Sequence, residues 1–385
     1  MFILEEPYVS PELINTLVKN KYPVLTNAKS LEIAEKDPLN LVSEEWAVKQ
    51  IEVNNKIYTC SETALEWLYN NLANKDRIDK IKAVKNKVVF RRMIKSLYPN
   101  FYFKQVPINE LRKVNLSEIP FPCILKPAVG FFSAGVYTIL NKNDWSMAVK
   151  DIEENFANNS KGYSKDVVGQ NIFIIEDYIK GIELAVDGYY DNNGEGVVLN
   201  ILQHDFSSAT DVSDRAYFTS KIIIEKYLEP ITKLLAKMNK AFKLDNFPFH
   251  LELRVNKENI VPIELNPMRF AGWCCTDMGL FAYGINNYEC FINNEKPNFK
   301  RILKNKENEI YSLFVLDKPK DFDLNKEKFD YEKLTSYLSE PLKIRRIDYT
   351  KQPVFGFAFT KTASNNTVER EFMLTTDFRD FIVKK

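Results

Sequence analysis

Apolar and polar residues alternate with the period of a strand in HLELRV (250–255) and again in IVPIELN (260–266). Val261, Ile263 and Leu265 fall on one face of the second stretch, and Pro262, Glu264 and Asn266 on the other. His250, Glu252 and Arg254 share a face of the first. A short polar segment separates the two, which predicts an antiparallel hairpin. With Lys257-Glu258-Asn259 as its loop, ending on a left-handed Asn259, Glu252 lies opposite Glu264 and His250 opposite Asn266.

The same reading predicts elements along the rest of the chain. MFIL is a short apolar run. Ser10-Pro11-Glu12 then supplies an N-cap, a first-turn proline and a first-turn carboxylate for a helix over 11–20. YPVLT (22–26) and KIYTC (56–60) read as strands, the second leading to Ser61 as N-cap of SETALEWLYNNL. Strands alternating with helices predict a small, partly parallel sheet. Residues 78–98 are helical and basic. FPCILKP (121–127) and GVYTI (135–139) are strands around a loop from Gly130 to Gly135, and 143–157 is a helix. Strands follow at 171–179, 182–190 and 194–203, then a long helix over 221–243. Beyond about residue 300, strands near 310–316, 342–348 and 353–360 and a C-terminal helix form a group of their own.

The 385 residues exceed one ordinary core and imply two to three domains or subdomains. Lys+Arg 53 against Asp+Glu 52 leaves no basic excess, so nucleic acid has no electrostatic footprint. Five cysteines, an odd number without a C-x-x-C pair, read as a reduced cytosolic protein with neither a disulfide framework nor a zinc site. MFILEEPYVS lacks a basic n-region and a long apolar stretch, and no window reaches the length of a membrane span. The expectation is a cytoplasmic enzyme or binding protein. LEEPYVS after the first strand holds no glycine, which argues against a dinucleotide fold.

Two features carry candidate chemistry. Glu252 and Glu264 face each other across the hairpin and repel, at a cost of a few tenths to about 1 kcal/mol. Carboxylate and amide oxygens suit Mg²⁺, which keeps waters or phosphate oxygens as its remaining ligands. An exposed polar face, with Arg254 pairing to the glutamates, explains the same pattern. In CILKPAVGFFSAGVYTI (123–139), Lys126 sits in an apolar strand, with Gly130, Ser133 and Gly135 in the loop after it. Glycines let backbone N–H groups approach an anion, and the lysine supplies the point charge a phosphate needs. A plain hairpin with a snorkelling lysine is the alternative. The loop is not a P-loop, because no Gly-Lys-Ser/Thr follows.

The order of these features is basic helix, lysine strand with glycine loop, IIEDYIKGIELAVDG, then Glu…Glu-x-Asn hairpin. It resembles the ATP-grasp superfamily of ATP-dependent carboxylate–amine and carboxylate–thiol ligases over roughly residues 80–290. The resemblance implies an α/β (α+β) ATP-grasp fold. A small N-terminal α/β (pre-ATP-grasp) domain would occupy 1–80, ATP-grasp subdomains 81–170 (glycine loop) and 171–300 (adenine hinge and metal hairpin), and an α+β extension 301–385. It makes Lys87 and Lys126 the phosphate-binding lysines, with Lys82 and Lys85 close to the first. Ser133 and Gly135 fall in the loop that closes over the phosphates. The hinge reads adenine through Glu176 and the main chain of Asp177 and Ile179, and Glu183 holds the ribose. Glu252, Glu264 and Asn266 become ligands of Mg²⁺ (or Mn²⁺). Arg269 would steady an acyl phosphate, although Met268 displaces it by one residue from the commoner Asn-Pro-Arg, and Arg215 is the second candidate. The implied activity joins a small-molecule carboxylate, an amino acid or peptide, to an amine with release of ADP and phosphate. No nucleic acid or membrane partner is implied, and a homodimer fits the family. A phosphotransferase and a non-catalytic ATP-binding regulatory protein are the alternatives. His204 and His250 receive no catalytic role.

Overall fold

Ser10 accepts a hydrogen bond from the Leu13 amide and starts a helix over Pro11–Asn20, with Pro11 and Glu12 in its first turn. In the computed structural model, which describes residues 1–130, 135–156, 172–208, 213–257 and 259–385, this helix belongs to a four-stranded sheet. Asn40–Val42, Pro23–Leu25, Phe2–Ile3 and Tyr58–Thr59 lie in that order, all parallel. Ser61 does not cap the helix that follows. That helix begins only at Leu65, and the Ser61 hydroxyl pairs with that of Thr63. The basic stretch is two helices, Lys75–Lys85 and Lys87–Met93. Asn86 breaks it with extended backbone and caps the second helix through the amides of Val88 and Val89.

A second four-stranded sheet is antiparallel, in the order Phe103–Pro107, Ile172–Asp177, Cys123–Pro127, Tyr137–Ile139. Its core packs Leu125, Phe173 and Ile175 against Trp145 and Val149 of the helix Lys142–Asp151. The strand Ile172–Asp177 therefore belongs with the glycine-loop unit, and the passage to the next sheet falls at 178–181 rather than at 170. Gly181 is required there. Its φ is +121°, and a Cβ would lie 2.1 Å from the Val255 carbonyl oxygen.

The third sheet has eight antiparallel strands. From one edge they run Asn259–Pro267, Phe247–Asn256, Ile182–Tyr190, Gly196–Asp205, Ala216–Ser220, Glu309–Asp317, Val354–Ala363 and Pro341–Arg346. Residues beyond 300 thus continue the sheet that carries the carboxylate hairpin, through the pairing of Ala216–Ser220 with Glu309–Asp317. Their own apolar cluster gathers Phe314, Phe329, Phe355 and Phe378. The long helix Lys221–Phe242, capped by Ser220, packs on the sheet, with Leu235 against Gly196. Phe2, Tyr58, Phe270 and Tyr288 pack as tilted and edge-to-face rings between the N-terminal sheet and the chain that follows the hairpin. Among the described residues no helix is long and apolar enough to cross a membrane, and all five cysteines are free thiols.

The hairpin pairs Glu252 with Glu264 and His250 with Asn266, by a different route from the expected one. Its closing pair is Asn256–Asn259, so the turn is one residue shorter, and Lys257 rather than Asn259 takes the left-handed conformation (φ 55°). A β-bulge then restores the register. Leu253 pairs with Pro262 while Glu252 pairs with Glu264, leaving Ile263 as the extra residue.

Candidate active site

A cavity of about 780 Å³ lies where the three sheets meet. That is within the roughly 300–1,000 Å³ usual for small-molecule sites. Lys87, Lys126, Glu176, Asp177, Ile179, Glu183, Glu252, Glu264, Asn266 and Arg269 all line it. Gly130 does too, at the start of the glycine loop. Ser133 lies outside the described residues. Gly135, in the left-handed region (φ 74°), starts the return of the chain but is not in the described wall.

Lys87 is the first residue of its helix, tied by its amide to the Ala128 carbonyl (2.8 Å). Its Nζ lies 2.7 Å from Glu264 Oε2 and 3.4 Å from the Gly130 carbonyl oxygen. Lys126 Nζ lies 2.7 Å from Glu176 Oε1, and Arg91 Nε donates to Glu176 Oε2 at 2.7 Å. Burial alone would raise the Glu176 carboxyl. Arg91 and Lys126 outweigh it and hold it down at about 2. Each of its two oxygens is thus paired with a buried cation. Asp177 is also committed: its amide donates to the Tyr102 carbonyl (3.1 Å), and its carboxylate accepts from the Tyr102 amide (2.7 Å).

Glu183 is gripped by His204 Nδ1 (2.9 Å) and Arg254 Nη2 (2.8 Å), so Arg254 pairs with it rather than with the hairpin glutamates. His204 spans on to the Ser213 carbonyl (2.9 Å). Its ring stacks on Tyr217, with centroids 4.2 Å apart. His250 Nδ1 pairs with buried Asp187 (2.8 Å), which also accepts from the Ala271 amide (2.8 Å).

Asn266 Nδ2 donates to Glu264 Oε1 (3.1 Å) and lies 3.4 Å from Glu252 Oε1. The two carboxylates diverge. Burial and the charges of Glu264, Glu183 and Asp214 push Glu252 well above the usual carboxylate range. Glu264 is held at about 2, because Lys87 and Lys126 outweigh its burial. A carboxyl pushed toward protonation by a like charge opposite it is a place where a divalent cation can stand in for the proton. Among the described residues no three His, Cys, Asp or Glu side chains cluster as a metal centre. The donor set is two carboxylates and one amide, which fits a hard cation completed by phosphate oxygens and water.

Arg269 is buried beside the cavity. Its Nε donates to Glu62 Oε1 (2.8 Å) and its Nη1 to the Phe270 carbonyl (2.9 Å). Lys85 contacts the other oxygen of Glu62. The inserted Met268 takes a left-handed conformation (φ 63°) and is fully buried, its amide on the Pro248 carbonyl (2.8 Å). Arg215 is not in the described wall. Its guanidinium binds Asp317 (2.6 Å) and the Thr376 carbonyl (2.6 Å) and lies over Phe378, because strand Ala216–Ser220 pairs with the C-terminal segment and draws the arginine there.

Sequence reasoning missed Arg91, which follows Lys87 by one helical turn, a spacing that could have singled it out. It also missed Glu62 and the far wall of the cavity. That wall is built by Tyr8 and Thr63 from the first part of the chain and by Gln352, Pro353, Val354 and Phe357 from the last. No local signal marks these residues.

Residues 119–277 match the ATP-grasp domain, and the chain carries the ATP-grasp fold. Among curated proteins it is similar to the alanine–anticapsin ligase of Bacillus amyloliquefaciens, 26% identical over 254 residues (60% of this chain and 50% of that protein). The enzyme of the same name from Bacillus subtilis is 26% identical over 185 residues, 44% of this chain and 38% of that one. The chain spans about half the length, or less, of these curated relatives. Among solved structures it resembles an L-amino acid ligase from Bacillus licheniformis, with a TM-score of 0.66 and 18% identity over 100% of this chain and 98% of that chain. It also resembles N5-carboxyaminoimidazole synthase from Aspergillus clavatus in complex with ADP and 5-aminoimidazole ribonucleotide, with a TM-score of 0.63 and 14% identity over 98% of each chain. At these identities the structural likenesses speak for the fold alone.

Proposed function

We propose that the protein is an ATP-dependent ligase that activates a small-molecule carboxylate as an acyl phosphate and joins it to an amine, releasing ADP and phosphate. The observation that carries this reading is one cavity lined by two different groups of side chains. Lys87, Lys126, Glu252, Glu264 and Asn266 make a charged and polar group, and Tyr8, Trp273 and Phe357 make an aromatic cluster. The similarity to the alanine–anticapsin ligases supports amino acids or peptides as the substrate class.

The substrate carboxylate attacks the γ-phosphorus of ATP, giving an acyl phosphate and ADP. An amine that arrives deprotonated then attacks the acyl carbon and displaces phosphate. Lys87 and Lys126 neutralise charge on the phosphates, and Glu176 keeps Lys126 extended into the site. Glu183, steadied by His204 and Arg254, receives the ribose, and the main chain near Ile179 faces the adenine. Glu252, Glu264 and Asn266 would hold Mg²⁺ or Mn²⁺, which supplies charge neutralisation to the transferring phosphoryl group. Arg269 stands beside the cavity to meet the acyl phosphate. The reaction is taken to occur in the cytoplasm, with a homodimer as the working assembly.

The test is incubation of the protein with ATP, Mg²⁺ and pools of amino acids and small peptides, following ADP, AMP and phosphate, with Lys126→Ala as control. ADP and phosphate that depend on particular pools, with a condensed product in the mass spectrum, are expected. ADP with a stable phosphorylated acceptor would make the protein a phosphotransferase. Tight ATP binding without turnover in any pool would favour a regulatory role.

A further inference from the structure

The bulge at Ile263 decides which face Glu264 occupies. From the closing pair Asn256–Asn259 the strands run in regular register to Leu253–Pro262. Continued without a bulge, that register would set Glu264 opposite Leu251, on the apolar face, and Glu252 opposite Ile263. With Ile263 extra, Glu264 and Asn266 turn to the face of Glu252 and His250. A bulge leaves ladder groups unpaired, and strand Asn259–Pro267 is the edge of its sheet, so its outward carbonyls need partners from elsewhere.

Arg91 supplies them. Its side chain is 2% exposed. Nη1 donates to the Pro262 carbonyl (2.5 Å), and Nη2 lies 3.4 Å from the Ile263 carbonyl oxygen, the two residues at the bulge. Nε is spent on Glu176, and the guanidinium lies over the Phe101 ring at 4.4 Å. One planar fork thus links the helix that carries Lys87, the strand whose Glu176 holds Lys126, and the irregularity that aims Glu264. A lysine cannot reproduce three such directed bonds.

We infer that Arg91 is a positioning residue: it fixes the bulge at Ile263, so that Glu252, Glu264 and Asn266 share one face and can hold a divalent cation with the nucleotide. The inference rests on the metal-nucleotide reading proposed above. It is tested by Mn²⁺ binding in the presence of ADP, followed by electron paramagnetic resonance, for wild type, Arg91→Lys and Arg91→Met. Tyr98→Phe is the control. Tyr98 also reaches the edge strand, donating to the Ile260 carbonyl (2.7 Å), but short of the bulge. The expected result is a loss of Mn²⁺ affinity of about 10–100-fold in Arg91→Met, the range for residues that orient metal ligands. Arg91→Lys should recover only part of it, metal-free ADP binding should fall by less, and Tyr98→Phe should bind Mn²⁺ like wild type. Equal Mn²⁺ affinity in the folded fraction of either Arg91 variant and of wild type would overturn the inference, and Arg91→Lys decides alone if the methionine variant does not fold. A wild-type protein that binds no Mn²⁺ with ADP would instead overturn the metal reading itself.

Discussion

Replacing Glu176 by glutamine removes one charge from between two buried cations. The carboxyl is held from an ordinary 4.5 down to about 2 by Arg91 and Lys126, against its burial. At about 1.4 kcal/mol per decade, that preference for the ionised form amounts to roughly 3 kcal/mol. It agrees with the ~3–5 kcal/mol lost when one partner of a buried pair is removed. The sign follows from linkage. A depressed carboxyl stabilises the folded state above its unfolded pKa, and that contribution drains away as pH falls through the folded value. The unfolding of a chain of several sheets is not one two-state event, so the assay is hydrogen exchange of the strands Cys123–Pro127 and Ile172–Asp177, which reports local opening. At pH 7, Glu176→Gln is expected to cut their protection by a few hundredfold relative to wild type, after correction for intrinsic rates. At pH 3 the difference should shrink to about tenfold, because the wild-type carboxylate is by then losing its advantage. A deficit that stays constant between these pH values would refute the electrostatic account and leave only a packing defect.

Other perturbations follow from the same geometry. Glu264→Ala should abolish ATP turnover while leaving the fold intact by circular dichroism, and retained turnover would remove the metal assignment. Lys126→Ala should weaken ATP binding by roughly 10–100-fold in calorimetry, the scale of one charge-assisted hydrogen bond. Unchanged affinity would take that lysine off the phosphates. Arg215→Ala should leave kcat and the KM for ATP within about threefold, since the arginine serves a partly exposed pair with Asp317. A larger fall in kcat in steady-state kinetics would return it to the substrate.

Much of this site could be read from local pattern. Period-two alternation placed Glu252, Glu264 and Asn266 on one face, and Lys126 could be picked out as a charge inside an apolar strand. The pairing of Glu252 with Glu264 came out as expected because two departures cancel: a turn one residue shorter, and a bulge that adds one back. Neither shows in the alternation, and the bulge carries a contact from outside the hairpin, Arg91 on the Pro262 and Ile263 carbonyls. Ser10 and Ser61 illustrate the same limit. Both stand before helical stretches, but Ser10 meets Pro11 and a free amide at Leu13, whereas Ser61 turns to Thr63 and the helix starts later. The C-terminal strands were legible as strands, while their pairing onto Ala216–Ser220 joins residues about a hundred positions apart and leaves no local trace. That pairing also ties Arg215 to Asp317, itself a lining residue, and leaves the arginine out of the described wall.

The central claim is acyl phosphate formation, and isotope transfer tests it most directly. Once a turnover-supporting pool has been resolved, its carboxylate substrate is labelled with ¹⁸O and the released phosphate is analysed by mass spectrometry. The account predicts one ¹⁸O per phosphate, carried over from the carboxylate when the amine displaces it, with ADP as the nucleotide product. Phosphate without label, or label appearing in AMP, would contradict it.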